Sequence, residues 1–111
     1  MDINNSVIAI TGAGQGLGQM MAIILAQAGA DLALIDVNES GLKDTQDQCH
    51  MLSAKAMTYS LDVTNEVDVE RTFDDIIQDF GQLNGLINNA GVHYPGSFRH
   101  GWKNHGGHLR R

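Results

Sequence analysis

Residues 11 to 18 read Thr-Gly-Ala-Gly-Gln-Gly-Leu-Gly and stand between a short apolar run, Val7-Ile8-Ala9-Ile10, and a stretch with helical periodicity. Glycine in such a loop lets the backbone turn tightly and come close to a bound group. Where the loop opens a helix, free amide groups and the positive end of the helix dipole favour negative charge, so this junction suits a pyrophosphate. The spacing is Thr-Gly-x-x-x-Gly-x-Gly, carried by Gly12, Gly16 and Gly18. It departs from G-x-G-x-x-G, whose third glycine would fall at Leu17 or Gln19. The candidate contacts in this string are Gly12, Gly14, Gln15, Gly16, Leu17 and Gly18; a plain turn is the alternative.

Asp36 follows eighteen residues after Gly18, at the end of a second apolar run, Leu32-Ala33-Leu34-Ile35. A carboxylate at the end of a second strand can accept hydrogen bonds from a ribose 2′-hydroxyl, and the same charge repels a 2′-phosphate. Gln15 is neutral, and no Arg or Lys lies within the loop or just after Asp36. NAD is therefore expected over NADP. An exposed cap on the following helix is the competing role for Asp36.

These residues need elements to position them. Val7 to Ile10, ending in glycines, reads as a buried parallel strand. Leu17, Met20, Met21, Ile24, Leu25 and Ala28 recur at helical spacing and predict the inward face of a first helix, with Gly29 placed to end it. Asn38 suits the cap of a second helix, weakly patterned through Leu42, Cys49 and Leu52. A third strand is expected at 56–63. Val69, Phe73, Ile76, Ile77 and Phe80 mark a third helix behind a cap at Thr64 or Asn65, and a fourth strand is expected at 83–89. Strands alternating with helices predict an α/β fold, a Rossmann-type doubly wound parallel sheet truncated to about four strands and three helices. In that topology strand 4 lies beside strand 1, and the ligand crevice opens at their carboxyl ends.

Composition narrows the function classes. The chain has 111 residues, enough for one domain, and Val, Ile, Leu and Phe number 28, above the level of a disordered chain. No apolar run is long enough to span a bilayer, and the first residues are acidic and polar rather than basic. A cytoplasmic protein without membrane or nucleic-acid partners is the expectation. The single cysteine, Cys49, reads as a packing residue. The formal net charge of −6 is uneven: residues 1–91 hold all thirteen acidic side chains and three basic ones, and residues 92–111 hold four basic ones and no acid. The second segment also carries four of the five histidines, the only Trp and the only Pro. The expected organisation is a nucleotide-binding half-domain over 1–91 and an atypical basic, His- and Gly-rich tail over 92–111.

Four strings in order, TGAGQGLG at 11 to 18, Asp36, Asp62-Val63 and Asn88-Asn89-Ala90-Gly91, resemble the N-terminal half of the short-chain dehydrogenase/reductase family. The 3-oxoacyl-acyl-carrier-protein reductase type is the nearest kind suggested. The resemblance implies an NAD(P)-dependent oxidoreductase that moves a hydride between nicotinamide and an alcohol or ketone. It also implies that Asp62 meets the adenine amino group and Val63 the adenine ring. Asn88, Asn89, Ala90 and Gly91 would brace the sheet and line the cofactor cleft; read as residues alone, they make a strand-ending turn. Family members commonly form homo-oligomers through later helices.

The same resemblance places the chemistry on a Ser and a Tyr-x-x-x-Lys, with the tyrosine as general acid or base. Tyr59 is followed at i+4 by Val63 and Tyr94 by Phe98, so neither forms that pair. The chain is expected to be inactive alone. A noncatalytic NAD or adenine-nucleotide binding module and a nonfunctional truncated product are the alternatives. In the tail, His100, His105 and His108 suggest a metal set, and Arg99, Lys103, Arg110 and Arg111 a polyanion grip. No carboxylate or cysteine completes the first, and the glycines argue against a fixed surface for either. A shifted reading frame or truncation is the preferred origin of this tail, a natural disordered extension its rival.

Overall fold

Successive residues of a strand face opposite sides, and here both sides are apolar. In the computed structural model, which describes residues 3–89, β1 (Val7–Thr11) and β2 (Asp31–Asp36) lie side by side at the centre of the sheet. Ile8, Ile10, Leu32 and Leu34 pack into one core cluster with Ala22, Ala26, Leu42 and Cys49. Ala9, Ala33 and Ile35 face the other way, into a cluster with Val63, Val69, Phe73 and Ile76. The first cluster is covered by α1 (Gly16–Gln27) and α2 (Glu39–Met51), the second by α3 (Glu66–Phe80). The outer strands are β3 (Ala56–Ser60) and β4 (Gly85–Asn88).

All three strand pairs are parallel, and the order is β3-β2-β1-β4. This is the expected doubly wound arrangement, with α3 carrying the chain from one edge of the sheet to the other. Thr11 is in register with Ile35 on one side and Asn88 on the other, so the ends of β1, β2 and β4 converge on one rim.

Three local expectations are corrected. The buried face of α1 is Gly18, Ala22 and Ala26; of the expected stripe Leu25 packs partly against the core, while Leu17, Met20 and Ile24 are 60%, 57% and 54% exposed. The glycine loop draws the start of the helix onto β1, and only small side chains fit at that separation. The third strand stops at Ser60 rather than residue 63, because its partner strand ends at Asp36 and Asp62 then turns the chain by accepting from the Thr64 amide at 2.9 Å. The fourth begins at Gly85 and ends at Asn88, within the expected 83–89. Ahead of it, the Asn84 side-chain oxygen takes the Val7 N–H at 2.8 Å in place of a ladder partner.

Candidate functional site

The loop between β1 and α1 holds its shape through backbone that glycine tolerates best. Gly12 and Gly16 have φ of 69° and 55°, in the left-handed region. Gly18 answers a different need: a Cβ there would run into the Gly12 carbonyl, and the Asn89 amide nitrogen would stand 2.9 Å away. The first turn of α1 therefore lies directly against the loop and the end of β4.

The start of α1 differs from the other two helix starts. Asn38 accepts the Gly41 N–H at 3.0 Å to cap α2, and Asn65 accepts the Asp68 N–H at 3.1 Å to cap α3. Each of those helices also has acid in its first turn, Glu39 in α2, Glu66 and Asp68 in α3. Gln15 makes no side-chain cap on α1, whose first turn has no acid. Capping bonds and acids satisfy the N–H groups and dipole of a helix start. Among the described helices, α1 alone starts with neither a side-chain cap nor an acid, an arrangement that suits an outside anion, and Gln15, Gly16 and Leu17 around it are exposed.

Asp36 ends β2 beside this loop. Its Oδ2 accepts the Gly14 N–H at 2.8 Å, and its Oδ1 accepts from the amides of Val37 at 2.8 Å and Asn38 at 3.2 Å. The competing role as a helix cap falls to Asn38, which leaves Asp36 tying the loop to the strand end. Lys43 of α2 is engaged with Asp47 at 2.7 Å, one turn along its own helix.

At the rim, the Thr11 hydroxyl donates to Asn88 Oδ1 at 2.9 Å and accepts the Asn89 N–H at 2.8 Å. β1 and β4 are thus pinned together at their carboxyl ends, and Thr11 does this work without having been singled out within its string. Ala90 and Gly91 lie outside the described residues, as do the tail histidines and basic residues. Asp62 is exposed, two residues beyond the end of β3. Hydrogen bonds from the Thr64 hydroxyl (2.7 Å) and amide (2.9 Å) to its Oδ1 hold its carboxyl below the usual range. Val63 is buried with Leu61, Val69 and Phe73, a packing position at the edge of that core.

Two further residues shape the loop and carried no sequence signal. Thr45 on α2 is fully buried and its hydroxyl donates to the Ala13 carbonyl at 2.8 Å; Gln19 Nε2 donates to that hydroxyl at 2.9 Å. Cys49 is buried and free, and burial raises its thiol pKa, as suits a packing residue.

Residues 6–104 match the sequence profile of the short chain dehydrogenase family. The chain belongs to that family. It is 40% identical over 95 residues to short-chain dehydrogenase/reductase family 16C member 6 of Bos taurus, covering 82% of this chain and 29% of that protein. The solved structure of NAD+-bound xylitol dehydrogenase is similar with a TM-score of 0.79 at 36% identity, over 83% of this chain and 35% of that one. Carveol dehydrogenase from Mycobacterium avium, in complex with NAD, gives a TM-score of 0.78 at 28% identity, over 82% and 37% of the two chains. This short-chain dehydrogenase chain spans about a third of the length of those relatives. None of its described helices is long and apolar enough to cross a membrane.

Proposed function

We propose that this chain is the cofactor-binding half of an NAD(P)-dependent oxidoreductase, binds NAD in preference to NADP, and has no hydride-transfer activity alone. The observation that carries the reading is the uncapped, acid-free start of α1 behind the glycine loop, beside a carboxylate at the end of β2. In it the amides around Gln15, Gly16, Leu17 and Gly18 hold the pyrophosphate, with Gly12 and Gly14 shaping their approach. Asp36 receives the adenosine ribose hydroxyls and repels a 2′-phosphate. By the family resemblance, Asp62 is assigned to the adenine amino group, Val63 to the adenine ring, and Asn89, Ala90 and Gly91 to the lining of the cofactor cleft. Bound there, the dinucleotide supplies the hydride acceptor or donor. An alcohol or ketone, such as a 3-oxoacyl group, is the proposed substrate class of the whole enzyme, working in the cytoplasm.

NAD-bound relatives support the choice of cofactor. So does the charge around Asp36, since no basic residue lies within the loop to receive a phosphate. Calorimetric titration of the chain with NAD and NADP tests the reading. NAD is expected to bind at least about tenfold more tightly, the scale of one repelled or unpaired charge. Asp36→Ala is expected to weaken NAD and narrow that preference; equal affinities in the unsubstituted chain would overturn it. A noncatalytic nucleotide-binding module is the second reading, favoured by one observation: neither tyrosine is followed four residues on by lysine.

A further inference from the structure

We propose that Thr45 is a positioning residue for the glycine loop, acting through the single peptide unit that joins Ala13 to Gly14. The inference rests on the reading of that loop as the dinucleotide site. The carbonyl of this peptide accepts from Thr45 Oγ1 at 2.8 Å, and its N–H donates to Asp36 Oδ2 at 2.8 Å. Both ends of one rigid plane are therefore held, one by the second helix and one by the carboxylate expected to meet the ribose. The N–H of the preceding peptide unit, that of Ala13, donates to the Ile35 carbonyl at 3.0 Å, which anchors the adjoining plane to β2.

The hydroxyl has one proton to give. Its second acceptor within reach, the Gly41 carbonyl, is 3.1 Å away, so the shorter bond to Ala13 takes the proton. Gln19 Nε2 donates to the same oxygen at 2.9 Å and to Asp44 Oδ2 at 3.0 Å, which fixes the hydroxyl from the α1 side. Thr45 is fully buried, so no water replaces a lost partner without a rearrangement. Rotating the peptide out of place would break the bonds to Thr45 and Asp36 together. The hydroxyl of Thr45, on the helix whose first turn packs against the loop, thus ties the path of the loop into α1 to the carboxylate expected to meet the ribose. Gln19, at one of the two positions where G-x-G-x-x-G would place its third glycine, supplies the fixing donor.

The test is amide hydrogen exchange of the cofactor-free 111-residue chain, reading the Gly14 rate against the Ala13 rate. Global destabilisation speeds both alike; loss of the lock speeds Gly14 alone. Thr45→Val, which keeps the shape and removes the hydroxyl, is expected to raise the ratio roughly tenfold, the effect of leaving a buried acceptor unpaired. Thr45→Ser is expected to restore it. NAD affinity should fall about tenfold in the Val variant and recover in the Ser variant, in parallel with the exchange ratio. An unchanged ratio in folded Thr45→Val overturns the proposal. If that variant does not fold, Gln19→Leu reads the same ratio with an expected rise of about threefold, one lost hydrogen bond, and no rise there overturns it. A raised ratio in a chain that binds no NAD upholds the lock and rejects the cofactor reading, so the two fail separately.

Discussion

Gly18 shows how much a single missing side chain decides. A methyl group there would meet the Gly12 carbonyl, so Gly18→Ala is expected to push α1 off the loop. The cost should be about 1–3 kcal/mol of stability, in the range of an overpacked site, with NAD binding weakened; urea denaturation and titration read the two effects. At this scale the sequence made the glycines and Asp36 legible, because their types and spacing have a chemical meaning without any partner in view. Thr11, Gln19 and Thr45 were not legible. A threonine hydroxyl becomes informative only through its acceptor, and the acceptor of Thr45 is a backbone carbonyl 32 residues away.

The helices divide by what stands at their starts. Asn38→Ala and Asn65→Ala each remove a capping bond and are expected to cost about 1 kcal/mol in urea denaturation. Gln15→Ala, at a start with no side-chain cap, is expected to stay within about 0.5 kcal/mol. A second test lies between β3 and α3. Tyr59 donates to Asp79 Oδ2 at 2.7 Å, and burial, then that bond, then the charges of Asp79 and Asp75 raise its pKa above the ordinary 10.0. The folded chain thus keeps the phenolic proton where the unfolded chain loses it. This contribution is complete below pH 10 and is lost as pH rises above it, so stability should fall more steeply there than in Tyr59→Phe. Denaturation at a series of pH values from 8 to about 11.5, around the unfolded tyrosine pKa, measures the difference. All seven elements were readable from periodicity and turn residues, and so was the strand order. The inward face of α1 was not, since the apolar stripe Leu17, Met20 and Ile24 is outward and a small-residue stripe does the packing. Periodicity finds the largest apolar face, and here close approach to the sheet selects the smallest.

On the scale of the molecule, the described residues cover neither that outward stripe nor the free edge of β4 fully. Among the described residues β4 pairs only with β1, and Gly85, Leu86 and Ile87 are half-buried. An apolar stripe and an open strand edge favour association. Sedimentation velocity is expected to show self-association of the 111-residue chain that rises with concentration, reduced by Met20→Gln with Ile24→Lys, which leave the small-residue face of α1 intact. NMR titration of the chain with NAD reads dinucleotide binding at the start of α1 amide by amide. Saturable shifts are expected, centred on the amides of Gln15, Gly16, Leu17 and Gly18 and on Asp36, and absent in a folded Gly16→Val. A folded chain whose loop amides do not respond to NAD, or one that responds equally with Gly16→Val, would contradict binding there.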